Sequence, residues 1–81
     1  MDRNVFHVLV SDFDNRVAYL TGPLTDDRPW GDRVEELQDA GRDVRCHKLP
    51  TAEVLDPRRV ATEYCRQYRL RLTDNPFFTP R

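Results

Sequence analysis

Several features that would place a protein in a large functional class are missing from this chain of 81 residues. There is no long apolar run, so we expect no transmembrane span, and the first residues, MDRNVFHVLV, lack the small-residue cleavage site of a signal peptide. The two cysteines, Cys46 and Cys65, are too few for a disulfide framework, and we expect buried free thiols. These absences predict one soluble, cytoplasmic domain with a small core and a thin stability margin.

Lysine is nearly absent as well, since the chain has 12 arginines and one lysine, Lys48. The net charge of −1 hides an asymmetry: residues 1–56 carry 7 basic and 12 acidic side chains, a net −5, and residues 57–81 carry 6 basic and 2 acidic ones, a net +4. A GC-rich genome would produce the same arginine bias, so arginine abundance alone is weak evidence of phosphate binding. The pI of 6.1 also differs from that of dedicated nucleic-acid binders, which usually exceeds about 9.

The N-terminal third has the pattern of a β-hairpin. β-branched and aromatic residues predict strands over residues 4–11 and 16–22. Between them, the sequence DFDN (12–15) has turn chemistry, because Asp and Asn side chains bond to nearby backbone groups.

A helix and a third strand follow the hairpin. Residues 29–41 predict the helix, with Pro29 in its first turn and Gly41 as a left-handed C-cap. Residues 42–49 predict the strand by alternation of apolar and polar side chains.

The last part of the chain is predicted as one helix and a tail. Asp56 before Pro57 is an N-cap signal, and residues 56–72 have one continuous helical pattern. Pro76 stops any helix. We therefore expect one domain over residues 1–73 and an extended C-terminal tail over residues 74–81.

The element order β-β-α-β-α predicts an α+β fold with a three-stranded antiparallel sheet. The third strand could lie beside the second strand or on the far side of the first. The first strand is apolar on both faces, which suits a central strand and favours the order 2-1-3. Two helices most simply cover one face, so we expect both to pack mainly there. Large apolar residues on the other face would then be covered by the tail, a second copy or a foreign partner.

The second helix separates arginine from apolar residues. At about 100° per residue, the apolar arc differs from the arc of the basic side chains. The apolar arc contains Val60, Ala61, Tyr64, Cys65, Tyr68 and Leu72. We define the arginine face as Arg58, Arg59, Arg66 and Arg69. Arginine forks can bind carboxylates or phosphates bidentately, but the face could also be simply solvated.

A second candidate surface is apolar. Phe77 and Phe78 stand between two prolines near the C-terminus, and either pack back on the domain or dock into another chain. Trp30 is a core anchor or an exposed interaction residue. The predicted apolar docking residues are Phe77, Phe78, Phe6, Val8 and Trp30.

No catalytic or metal site is predicted. The only soft metal ligands are His7, Cys46, His47 and Cys65. Cys46 and His47 are adjacent on a strand and point to opposite faces, so they cannot easily hold one metal. The DFDN segment lacks the glycine and distal glutamate of a calcium loop. We therefore expect no cofactor and no enzymatic activity.

Two functional hypotheses remain. The first is a small non-enzymatic protein-interaction module, such as an adaptor, a regulatory subunit or an inhibitor of the phage or mobile-element type. It would act through the arginine face and an apolar sheet face or tail, and its partner would be another, acidic protein or a second copy. The alternative is a nucleic-acid-associated protein that binds phosphates through the arginine face, with steeply salt-dependent affinity.

Overall fold

The computed structural model describes residues 5–51 and 55–79. The elements are β1 (Phe6–Asp12), β2 (Val17–Leu20), α1 (Arg28–Asp39), β3 (Val44–Pro50), α2 (Pro57–Tyr68) and β4 (Arg71–Thr73). They form a four-stranded sheet in the order β3-β1-β2-β4, with β1 antiparallel to both β2 and β3. The α+β class and the order of the first three strands agree with the prediction. The wholly antiparallel three-stranded sheet does not, because β4 pairs parallel to β2.

The fourth strand exists because α2 ends earlier than the sequence pattern indicates. Arg69 adopts a left-handed conformation, with φ 58° and ψ 48°, after the helix ends at Tyr68. For a residue with a Cβ atom this conformation costs about 1–2 kcal/mol. Burial of Leu70, whose N–H donates to the Cys65 carbonyl at 2.8 Å, and the pairing of β4 with β2 offset that cost.

The two helices lie on opposite faces of the sheet, so the expectation that both pack mainly on one face is wrong. The connections β2–α1–β3 and β3–α2–β4 each join parallel strands, but they cross the sheet in opposite directions. Such crossovers are almost always right-handed, so opposite directions require opposite faces. We call these two faces the α1 side and the α2 side.

The α1 side contains Phe6, Val8 and Val10, the apolar residues of β1 to which the sequence analysis assigned no covering helix. Phe6 and Val8 are 5% and 2% exposed beneath α1. The buried cluster there is Phe6, Val8, Val10, Val34 and Val44, with Leu24, Trp30, Leu37, Phe77 and Phe78 packed against it. The tail therefore packs on its own domain.

The α2 side has a separate core beneath the second helix. Its buried residues are Leu9, Ala18, Ala61, Cys65 and Leu70, and Phe13, Leu20, Leu49, Tyr64 and Leu72 pack against them. Cys65 is buried, as predicted. Cys46 is exposed, contrary to the prediction, because it lies on the edge strand β3.

The hairpin turn is built around the carboxylate of Asp12, which is 1% exposed. One of its oxygens accepts the backbone N–H groups of Asp14 and Asn15 at 3.0 and 3.1 Å. The other accepts Asn15 Nδ2 at 2.9 Å and Arg42 Nη2 at 2.7 Å. The DFDN segment is therefore a turn, as predicted. Gly41 has the predicted left-handed conformation, with φ +88°.

Neither of the two helices described within residues 5–51 and 55–79 is long and apolar enough to cross a membrane.

Candidate functional site

The arginine face lies in solvent, and its four side chains differ in their partners. Arg58 Nη2 lies 3.4 Å from Asp74 Oδ1, and Arg66 Nη1 lies 3.6 Å from Glu63 Oε2. Exposed pairs of this kind contribute about 0–1 kcal/mol each. Among the contacts of the described residues, Arg59 and Arg69 have no ion pair. Two of the four guanidinium groups are therefore open to an incoming anion.

The start of α2 holds the arginine face in place. The Asp56 carboxylate accepts the Arg59 N–H at 3.2 Å, so Asp56 is the N-cap that the sequence predicted. Pro57 occupies the first helical turn, where its missing N–H costs no hydrogen bond.

An aromatic row, which we define as His47, Tyr64, Tyr68 and Phe13, runs along the α2 side from β3 to the hairpin. Neighbouring ring centroids are 5.2, 4.7 and 5.8 Å apart in that order. The Arg45 guanidinium stacks 4.7 Å above the Phe13 ring. Both tyrosines belong to the apolar arc of α2, yet Tyr68 is 42% exposed. Sequence reasoning missed Phe13 and His47, because only strand pairing brings them to this row.

The polar end of the row lacks an accessible nucleophile. Tyr64 Oη lies 3.2 Å from His47 Nε2 and 3.4 Å from Ser11 Oγ. Ser11 is completely buried, so its hydroxyl cannot reach a substrate. This contact orients Tyr64 and holds α2 against the sheet.

The cysteines are not activated. Desolvation and the Asp27 carboxylate raise the pKa of the Cys46 thiol, and desolvation raises that of Cys65. Both thiols therefore stay protonated at neutral pH. Cys46 faces the α1 side and His47 the α2 side, and residues 5–51 and 55–79 contain no group of three His, Cys, Asp or Glu side chains that could hold a metal ion.

A groove of about 390 Å³ follows α2 beside the aromatic row. It is lined by Arg59, Val60, Glu63, Tyr64 and Gln67. Three large apolar side chains are exposed in the described part of the chain: Leu55 at 99%, Val60 at 39% and Tyr68 at 42%. All of them lie in α2 or immediately before it.

The edge strand β3 lies next to α2, since its His47 ring contacts the Tyr64 ring. Four consecutive residues, Arg45 to Lys48, are exposed. Arg45 Nε lies 3.2 Å from Asp43 Oδ1, and Lys48 Nζ lies 3.5 Å from Asp27 Oδ2.

The structure brings all five predicted apolar docking residues together on the α1 side, within the chain itself. The Trp30 ring centroid lies 5.6 Å from that of Phe78, and Phe77 lies 5.4 Å from Phe78. Phe6 and Val8 are buried beneath them. Phe77 and Phe78 also line a polar groove on this side. The large apolar side chains that stay exposed in the described part of the chain therefore lie outside this cluster, in α2 or immediately before it.

Comparison of the chain with protein-family models, with curated proteins and with solved structures found no match.

Proposed function

We propose that the chain is a small, non-enzymatic protein-interaction module, such as an adaptor or regulatory subunit, that binds an acidic partner through α2. The observation that supports this proposal is the position of the exposed apolar residues. Leu55, Val60 and Tyr68 all lie in or beside α2, next to the arginine face. Apolar residues rimmed by charge are typical of interfaces, where Tyr and Arg supply much of the binding energy.

Charge supports an acidic partner. Residues 57–81 carry a net +4, and Arg59 and Arg69 have no ion pair among the described contacts. Arginine binds carboxylates bidentately, and a basic surface attracts an acidic protein at long range. The free thiols Cys46 and Cys65 are consistent with a reducing compartment such as the cytoplasm.

Photocrosslinking from the native source tests the proposal. A photoreactive amino acid at Val60, in the groove, should capture a discrete partner. The same amino acid at Glu35, exposed on α1, should not. Arg59→Glu with Arg66→Glu should abolish the Val60 adduct and leave the melting temperature unchanged, because both side chains are exposed.

Three results would contradict this proposal. Equal capture from both positions would mean that the labelling is unspecific. An adduct that survives the double substitution would assign the arginine face to solvent. Loss of folding in the double variant would show that these arginines are structural.

A nucleic-acid partner is the second candidate, and the aromatic row favours it. Bases stack on exposed aromatic rings, and Arg45 over Phe13 adds a positive charge beside them. Fluorescence anisotropy with single-stranded and duplex oligonucleotides at several salt concentrations tests this candidate. Affinity that falls steeply with salt, and is lost in Tyr68→Ala, would favour nucleic acid over protein.

A further inference from the structure

The outer edge of β3 presents a defined set of backbone groups that have no partner among residues 5–51 and 55–79. At one end of the β1–β3 ladder, Phe13 N–H donates to the Asp43 carbonyl at 2.9 Å. At the other end, Thr51 N–H donates to the Val5 carbonyl at 3.0 Å. Antiparallel ladders alternate bonded and non-bonded pairs, so the odd-numbered residues of β3 bond to β1. The N–H and C=O groups of Cys46 and Lys48 therefore point away from the sheet.

Both ends of this edge are closed. The Val44 carbonyl accepts Gln38 Nε2 at 2.7 Å, and Pro50 has no N–H to donate. The open window runs from Cys46 to Lys48 and offers two donors and two acceptors. Unpaired edges of this kind are templates for another strand. The opposite edge, β4, has only three residues.

The charge of β3 disfavours a second copy of this chain as the added strand. The ionisable side chains of β3 between Val44 and Pro50 include Arg45, His47 and Lys48 and no acid. Of the symmetric antiparallel registers that use the Cys46 and Lys48 groups, one sets Lys48 directly opposite Lys48, and like charges in that position destabilise a sheet. Every such register also brings Arg45 and Lys48 of two copies to one shared edge, without an acid from either strand.

The same charge favours an acidic strand. Arg45 and Lys48 have acidic partners at present, Asp43 and Asp27, but these pairs are exposed and weak. Carboxylates on an added strand would lie beside Arg45 and His47 on the α2 side and beside Lys48 on the α1 side.

We propose that β3 binds an acidic, extended segment of the partner by adding it as a further strand, held by the backbone groups of Cys46 and Lys48. This inference rests on the proposed function and specifies the form of the partner. Strand addition takes its affinity from main-chain hydrogen bonds and its specificity from alternate side chains.

Amide hydrogen exchange followed by NMR tests the inference directly. The probe is a capped seven-residue peptide of alternating Glu and Thr, and its control has Lys in place of Glu. In the free chain the Cys46 and Lys48 amides should exchange fast, and those of Arg45 and His47 slowly. The Glu peptide should slow exchange at Cys46 and Lys48 by about tenfold or more, which corresponds to 1.4 kcal/mol, and the Lys peptide should not.

A matched pair of variants isolates the backbone donor. Cys46→Pro removes one outward N–H and leaves the β1 ladder intact, whereas Cys46→Ser keeps the N–H. The first variant should weaken binding of the Glu peptide by about tenfold, and the second by less than about twofold. If Cys46→Pro does not fold, amide exchange of the unaltered chain with the Glu and Lys peptides still tests whether β3 binds an added strand.

Three results of the exchange experiment would overturn the inference: no added protection at Cys46 and Lys48, equal protection by both peptides, or protection that rises with protein concentration alone. The third result would identify a second copy as the added strand. A Val60 adduct retained in full by Cys46→Pro would likewise overturn strand addition and leave the proposed function standing. Absence of the Val60 adduct in the unaltered chain would contradict the proposed function itself.

Discussion

The α1 side and the α2 side of the sheet are each covered by a helix of 12 residues. In the described part of the chain, only the α1 side has no exposed large apolar side chain, and we call that side closed; the groove that remains there is lined mainly by polar groups. On the α1 side, Phe77 and Phe78 from the tail pack against the buried cluster beside the helix, and the Phe78 ring contacts that of Trp30. On the α2 side, no tail residue among the described ones packs beside the helix, and Val60 and Tyr68 remain 39% and 42% exposed.

The difference shows why one side is a core and the other is a candidate surface. A single short helix covers only part of a four-stranded sheet, so each side needs a further element to be closed. The tail supplies that element on the α1 side. On the α2 side the proposed partner would supply it, and in the described part of the chain the adjacent edge of β3 has no neighbouring strand.

The largest expected effect contrasts two buried polar residues at the end of β1. Asp12→Ala removes the charged acceptor of two backbone N–H groups and of Arg42, and should lower the free energy of unfolding by about 3–5 kcal/mol, because hydrogen bonds to a charged group contribute about 1.5–3 kcal/mol each. Ser11→Ala removes contacts of only 3.4 and 3.5 Å and should cost less than about 1 kcal/mol. Urea denaturation measures both. An equal loss of unfolding free energy in the two variants would show that the hydrogen bonds of Asp12 stabilise the fold no more than those of Ser11.

The second-largest expected effect comes from removing the tail residues that pack on the α1 side. Phe77→Ala with Phe78→Ala should lower the free energy of unfolding by about 2–4 kcal/mol, because both rings are partly buried in the chain's own core. The matched control is Leu55→Ala with Val60→Ala on the open side, which should cost less than about 1 kcal/mol. The same urea titrations apply. A control as destabilising as the phenylalanine pair would mean that the α2 side is closed too.

The starts of the two helices also differ. Asp56→Ala removes a side-chain cap and should cost about 1 kcal/mol. The N-cap of α1, Asp27, makes no side-chain capping bond, so Asp27→Ala should cost about half as much or less. Thermal unfolding of the two variants measures the difference. An unchanged melting temperature for Asp56→Ala would mean that α2 does not depend on its cap.

The smallest effect is at the exposed start of α1. The hydrogen bond from the Arg28 side chain, aided by the Arg28 backbone N–H, lowers the pKa of Asp26 from 3.8 to about 2. A depressed carboxyl pKa stabilises the folded state above pH 3.8, and that contribution is lost as the pH falls towards 2. Side-chain NMR titration should show this pKa in the unaltered chain and a higher one in Arg28→Gln. The same pKa in both chains would rule out the Arg28 side chain as the cause.

Local patterns were enough to predict much of the fold and part of the candidate site. The hairpin, its DFDN turn, both helix starts and the exposed arginine face follow from period-two alternation, turn chemistry and a helical wheel, which act over a few residues. The aromatic row could not be predicted in this way, because Phe13, His47 and Tyr68 meet only through pairing of distant segments.

The sequence by itself determined that β1 is central, since it is apolar on both faces, and that α2 is amphipathic with an arginine face. The tertiary structure decided where α2 ends, because the left-handed turn at Arg69 is unfavourable locally and is offset only by burial of Leu70 and pairing with β2. That turn creates β4, and β4 makes the second connection a parallel crossover. The handedness of parallel crossovers then places α2 on the opposite face from α1, which leaves one side closed by the tail and the other open.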